Sequence, residues 1–292
     1  MYRIFHIVAA IYSYLFSLPI LRELNYIILY FSLKAYGYYN YGNQNSQCKA
    51  SGEEYFIEKI LKTLDPKVCI DVGANVGSYT SLILSACENT RIYSFEPLDA
   101  PFRELEKLER HFGKRLIPIN KGVGNKRETL PIHFSEKRTG WASFSEEIKN
   151  VSYVTNECRS DIEVTTLDHF FSNVGKTDRI DFIKIDTEGF EFEVLDGARE
   201  IISRFRPKAI QIEYNWHQLF REKTLFSFSR ILDGYDVFQL LPNGLVERDP
   251  KDPLANIYEF SNFVFVRKDV RDSISRWIIS LHIARKITEY MH

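Results

Sequence analysis

From residue 51 onward, apolar runs of strand length alternate with stretches of helical periodicity. Strands are expected at "VCIDV" (68–72), "RIYSFE" (91–96), "LIPIN" (116–120), "DFIKID" (181–186), "AIQIEY" (209–214), "YDVFQL" (235–240) and "NFVFVR" (262–267). Helical segments fit between them: 52–64 ahead of the first strand, then 77–87, 99–112 and 190–205. In 99–112, Phe102, Leu105 and Leu108 share one face and charges fill the rest, as in an outer-layer helix. Strands that are apolar almost throughout are buried on both faces. The expected fold class is therefore α/β, a Rossmann-like, seven-stranded, mostly parallel sheet with helices on both faces. The last two strands are joined by "LPNGLVERDPKDPLANIYEF", which has no helix signal, so the final strand is expected to run antiparallel.

Three regions depart from this rhythm. Between 121 and 180, "ETLPIHFSE", "GWASF" and "DIEVTTLD" read as short extra strands and loops, an insertion near the C-terminal ends of the central strands, where open α/β sheets bind ligands. Residues 1–50 form an apolar, aromatic-rich helical extension: 4–21 carry no formal charge, and "YIILYFSL" follows Arg22 and Glu23. Two uses fit it, packing on the domain or a partner chain, and membrane association as a monotopic or signal-anchor segment. No small-x-small site marks a cleaved signal peptide. Residues 269–292 form a C-terminal extension. An amphipathic helix is expected over 271–292, with Ile274, Trp277, Ile278, Leu281 and Ile287 on one side. The sheet domain itself spans 51–268.

Composition narrows the function classes. A 292-residue chain with 45% hydrophobic and 26% charged residues is long enough for one large core. Its formal net charge of −1 supplies no global basic field, so a nucleic-acid partner is disfavoured. The four cysteines, at 48, 69, 87 and 158, form no C-x-x-C pair and no zinc spacing. That usage suits a reducing, cytoplasmic setting.

The candidate chemistry begins at "CIDVGANVGSYT" (69–80), a glycine-rich turn between strand and helix of the kind that holds nucleotides. The dinucleotide fingerprint needs a central glycine so that a pyrophosphate can approach. Asn75 stands there, between Gly73 and Gly77, which argues against a nicotinamide oxidoreductase; no G-K-[ST] follows, which excludes a P-loop. Asp71 ahead of the loop suits a cationic ligand. Glu96, at the end of the second strand, can accept hydrogen bonds from both ribose hydroxyls. S-adenosylmethionine is an adenosine-containing cation that meets these demands. A catalytically inactive scaffold that keeps the cofactor fold is the remaining rival.

Together with "YSFEP", "INKGVGNKRETLPIHF", "VTTLDHFF" and "IDFIKIDTEGFEFEVLDGA", the loop resembles the FkbM-type methyltransferases, over roughly residues 52–267. The resemblance implies a class I fold, S-adenosylmethionine as cofactor, and transfer of a methyl group to a hydroxyl of a saccharide or glycan-linked precursor, a small-molecule or glycan acceptor. On these motifs Ala74, Tyr79 and Pro97 join Asp71, Gly73, Asn75, Gly77 and Glu96 as cofactor-binding candidates. Asn120 and Gly122 match the family's stretch near the adenine. Methylases of exocyclic amines carry an N-P-P-Y-like motif where this chain has "DTEG".

Methyl transfer to an alcohol requires alignment of the reacting atoms and a group to take the hydroxyl proton. Candidates cluster after the fourth and fifth strands. "IKIDTEG" puts Lys184, Asp186 and Glu188 on one alternating face, and "IEYNWH" supplies Glu213, Asn215 and His217. Asp186, His217 and Lys184 are the catalytic candidates. Adjacent parallel strands allow Asp186 and Glu213 to meet, and with Asn215 they are candidate ligands for Mg²⁺. Metal-free base catalysis by Asp186 or His217 stands as the alternative. Glu191 and Glu193 read as solvent-facing residues of the next helix, and Trp141 and His133 as insertion residues facing either the acceptor or the core.

Overall fold

A computed structural model describes residues 2–39, 47–151 and 154–279. All seven expected strands are present: β1 (Val68–Val72), β2 (Arg91–Phe95), β3 (Leu116–Ile119), β7 (Phe182–Ile185), β8 (Ala209–Tyr214), β9 (Tyr235–Leu241) and β11 (Ser261–Arg267). An eighth, β10 (Gly244–Glu247), folds back on β9 as a hairpin. Its turn is Pro242 and Asn243, at the start of the connection that carries no helix signal. The sheet order is β10-β9-β11-β8-β7-β1-β2-β3, and β11 runs antiparallel to both its neighbours, as expected. Short elements of the insertion make a second sheet, β4 (Gly122–Val123), β6 (Cys158–Thr165) and β5 (Glu128–Phe134). "GWASF" forms a 3₁₀ turn (Thr139–Trp141) and one bridge, His133 to Ser143.

Alternation along the central strands sorts the core into two layers. Ile70, Val72, Ile183, Ile185, Ile210 and Ile212 pack on one face with Val194, Leu195, Ile201 and Phe228. Cys69, Ile92, Phe182, Ala209 and Val264 pack on the other with Phe56, Ile60, Ile83 and Ile274. Helices therefore cover both faces. The helix expected over 190–205 is split into Glu191–Asp196 and Arg199–Phe205. The break falls at Gly197, where an added Cβ would stand 2.1 Å from the Gly124 carbonyl oxygen, so the insertion's backbone occupies the space.

The N-terminal helices are Tyr2–Leu15 and Pro19–Ala35, and the break falls before Pro19, at the first-turn position that proline favours. Among the described residues no single helix is long and apolar enough to cross a membrane; the two N-terminal helices together pass that test but are bent by 115°. The C-terminal helix stops early: Arg271–Ile274 and a 3₁₀ turn to Trp277 give way to extended backbone at Ile278, which bridges Leu245 beside β10. Leu281 and Ile287 lie outside the described residues.

Candidate active site

The glycine loop hangs on the end of β2: the Gly73 and Ala74 amides both donate to the Phe95 carbonyl, each at 3.0 Å. Gly73 has φ +80°, and a Cβ there would lie 1.8 Å from the Asp186 carbonyl oxygen, so the loop crosses directly over the end of β7. Gly77, φ +82°, starts the helix Ser78–Ala86 against Leu105 and Leu108. Asn75 is also left-handed, φ +47°, a conformation that asparagine tolerates better than most residues. Its side chain turns to the insertion, accepting from Thr139 Oγ1 at 3.0 Å. What it adds over glycine is thus a tie between loop and insertion.

Glu96 closes the loop from the side. One carboxylate oxygen accepts the Asn75 amide at 2.9 Å and the other the Leu98 amide at 2.9 Å. It is buried, and burial pushes its carboxyl up to about 7 despite those two bonds. Asn120 does not face the ligand space; its amide holds the Glu96 and Pro97 carbonyls at 3.0 and 3.2 Å.

Beneath the loop lies a buried charge cluster. The register pairs Asp71 with Lys184, and Lys184 with Gln211, on one face of the sheet. Asp71 accepts from Thr80 Oγ1 at 2.7 Å, and its Oδ1 lies 3.8 Å from Lys184 Nζ with no hydrogen bond of its own. Lys184 reaches Asp186 Oδ2 at 2.9 Å and sits 4.9 Å over the Tyr79 ring. Burial alone would lower the Lys184 pKa; Asp186, Asp71 and Glu53 more than offset it and hold the amine charged. Asp71, read as aimed at a ligand, is instead the buried counter-ion of Lys184.

The strand ends bring three carboxylates together. One oxygen each of Asp186, Glu188 and Glu213 lies within 4.8 Å of the other two. Glu188 is left-handed, φ +51°, and its turn is held by Glu191, which accepts the Thr187 amide at 2.8 Å and the Gly189 amide at 3.1 Å. Glu191 is therefore buried and not solvent-facing, and Glu193 is ion-paired with Arg221. Burial first, then Asp186 and Glu188, push the Glu213 carboxyl well up. Asn215 is not in the group: it donates to Glu213 at 2.5 Å and caps the helix Trp216–Phe220 through His217 N. His217 Nε2 lies 2.9 Å from Glu188 Oε2. Burial lowers its pKa, but Glu188, Glu191 and Asp186 outweigh that and raise it above the usual value.

Two clefts meet at Gly73, Asn75 and Asp186. The first, about 220 Å³, is also lined by Glu96, Pro97, Gly122, Trp141, Glu188 and Glu213. The second, about 400 Å³, is lined by Cys48, Glu53, Ala74, Tyr79 and Lys184. Asp71, Gly77, Asn120, Asn215 and His217 line neither, nor does His133. Lys121 lines the first cleft and pairs with Glu163.

A family model described as the methyltransferase FkbM domain matches residues 71–237. The chain belongs to the FkbM methyltransferase family. A relative, "Methyltransferase 1" of Beauveria bassiana (strain ARSEF 2860), is 25% identical over 166 residues, 50% of this chain and 65% of that protein. Among solved structures, a methyltransferase from Geobacter sulfurreducens aligns over 89% of this chain and 96% of its own at 10% identity, TM-score 0.41. A precorrin-6y C5,15-methyltransferase from Geobacter metallireducens aligns over 74% and 88% at 12% identity, TM-score 0.38. The FkbM match contains the first cleft and leaves outside it the segment from Cys48 to Glu54 that walls the second. Sequence reasoning placed Glu188 beside Asp186 but gave it no site role. Its signal was present in the "TEG" turn, where a glutamate precedes a glycine, φ +104°, that packs against His217.

Proposed function

We propose that this chain is an S-adenosylmethionine-dependent O-methyltransferase whose acceptor is a hydroxyl of a saccharide or glycan-linked molecule. The observation that carries the reading is one cleft lined both by buried Glu96 beside the Gly73–Asn75 turn and by the Asp186, Glu188 and Glu213 carboxylates. Each Glu96 oxygen spends one lone pair on a backbone amide and keeps another for a ribose hydroxyl. The acid-rich wall favours a sulfonium cation and disfavours the pyrophosphate of a nicotinamide dinucleotide.

The bound cofactor would supply an electrophilic methyl carbon on sulfur. With it bound, an O–CH₃ bond would form as the S–CH₃ bond breaks, the electron pair going to sulfur and the hydroxyl proton to a base of this chain. Asp186 is placed to take that proton: it lines both clefts and is held by Lys184 Nζ at 2.9 Å. The neighbouring carboxylates accept from adjacent hydroxyls of a polyol, and Trp141, with the Arg138 guanidinium 4.6 Å from its ring centroid, lines the same cleft. His217 lines neither cleft and is paired with Glu188, so it positions that carboxylate.

A second reading has support in the same group. Asp186, Glu188 and Glu213 offer three oxygens within 4.8 Å, a set able to hold Mg²⁺, with Glu188 in the place first given to Asn215. Such an ion would lower the hydroxyl's pKa. Exhaustive chelation separates the two: unchanged turnover rejects the metal, and loss restored by Mg²⁺ supports it. Calorimetry tests the core of the proposal. Heat with S-adenosylmethionine and none with NAD is expected; no heat with the former overturns it and leaves the inactive scaffold.

A further inference from the structure

The N-terminal helices expose many large apolar side chains. On Pro19–Ala35, Ile20, Tyr26, Ile27, Leu29 and Phe31 are 50–85% exposed, and no residue of that helix is buried. At 3.6 residues per turn Ile20, Leu24, Ile27, Ile28 and Phe31 share a face roughly 100° wide, with Tyr26 and Leu29 on the other side. On Tyr2–Leu15, Ile4, Ile7, Val8, Ile11 and Tyr14 share one face about 120° wide, and His6 and Ser13 lie opposite. Helices with a broad apolar face and a polar one lie in the lipid–water interface with the apolar face among the acyl chains. The lengths choose the depth. Helices of 14 and 17 residues reach roughly 21 and 26 Å at 1.5 Å per residue, short of the ~30 Å hydrocarbon core, and they are bent by 115°. That geometry suits insertion into one leaflet.

The place of attachment connects this feature to the cleft. Arg248 stacks 3.8 Å over the Tyr36 ring and donates to the Tyr36 carbonyl at 2.8 Å. Ser261 Oγ donates to the Gly37 carbonyl at 2.9 Å, and buried Tyr38 donates to the Leu254 carbonyl at 2.6 Å. Ser261 is paired with Tyr214, and Asn262 with Glu213. The helices are thus fastened at the end of the sheet that carries the three carboxylates. One strand spacing separates Ser261 from the strand of Glu213, on the order of 5 Å.

We propose that the two N-terminal helices sit in one leaflet of a membrane, and that the methyl acceptor is itself a membrane amphiphile whose polyhydroxylated head group enters the first cleft at the lipid–water boundary. The second half rests on the methyl-transfer reading. A lipid anchor beside the cleft raises the local concentration of a head group confined to the same surface, which a water-soluble sugar would not share. The bonds made and broken are those given above, with the hydroxyl on the head group as nucleophile and Asp186 taking its proton.

The test uses the intact chain, phosphatidylcholine vesicles and a triple variant, Ile20→Asp/Ile27→Asp/Phe31→Asp. The intact chain should float with the vesicles, and the variant's partition should fall at least about a hundred-fold. S-adenosylmethionine calorimetry on the variant checks that the domain is intact, since none of the three residues is buried. With methyl-labelled cofactor and cell membranes, label should enter the organic-extractable lipid and fall with the variant. An intact chain that stays in the aqueous fraction overturns the anchor, including one that does so as a stable homodimer. Label confined to water-soluble products overturns the acceptor class. Failure of cofactor binding alone would instead remove the methyl-transfer reading and leave flotation to decide the anchor.

Discussion

A side chain on Gly73 would stand 1.8 Å from the backbone carbonyl oxygen of Asp186. That approach fastens the cofactor loop after β1 to the carboxylate turn after β7, so neither can shift without the other. Gly73→Ala meets both a left-handed backbone and a main-chain wall. It should cost about 2–4 kcal/mol in urea denaturation. Gly234→Ala, at φ +89° with nothing within 4 Å of the new methyl, carries only the backbone cost, about 1 kcal/mol. Equal losses would show that the contact is not what fixes residue 73.

Glu96 links stability and cofactor binding to pH in opposite ways. Its folded pKa of about 7 lies above the usual 4.5, so the folded chain holds the proton more tightly than the unfolded chain does. The contribution to stability is full below about 4.5 and is lost as pH rises through about 7. Ribose hydroxyls donate to the ionised form, so cofactor affinity should rise over the upper part of that window. Calorimetry across it on the native chain and Glu96→Gln checks the point: the variant should bind weakly with a flat profile. Unchanged affinity in the variant would refute the ribose role.

Lys184 stands between Asp71 and Asp186, with Glu53 near. Lys184→Met leaves buried carboxylates without their cation and should cost about 3–5 kcal/mol. Protonating those carboxylates relieves the repulsion, so thermal melting of the variant should recover on acidification relative to neutral pH. A variant as stable as the native chain at neutral pH would show that solvent, not Lys184, balances the cluster.

Asp186→Asn should reduce turnover about 10²- to 10⁴-fold while cofactor affinity holds. His217→Gln removes only the partner of Glu188 and should cost less. The two kcat values decide the assignment: a loss at 217 as large as that at 186 would make the imidazole the base.

The amino-acid order was most informative where one local rule sufficed. Runs such as "VCIDV" and "AIQIEY" could only be strands buried on both faces, and β1 and β8 occupy the stated residues. The hairpin strand β10 was missed because its four residues follow a loop signal and gain their partners only by folding back on β9. Asp71, Asn215 and His217 were read as facing a ligand because each sits at or near a strand's exit. Whether such a side chain meets solvent, a buried cation or a helix end depends on what packs above it.

Order along the chain therefore determined the alternation of strands and helices, the glycine loop, and the presence of acids after the fourth and fifth strands, since these follow from side-chain periodicity and backbone freedom within a few residues. Tertiary structure decided which acids share a cleft. The pairing of β7 with β8 sets Asp186 and Glu188 against Glu213, 25 or more residues away in sequence, and the pairing of β1 with β7 gives Asp71 to Lys184. Electrostatic roles in a buried site depend on distance and desolvation, and both are properties of the packed chain.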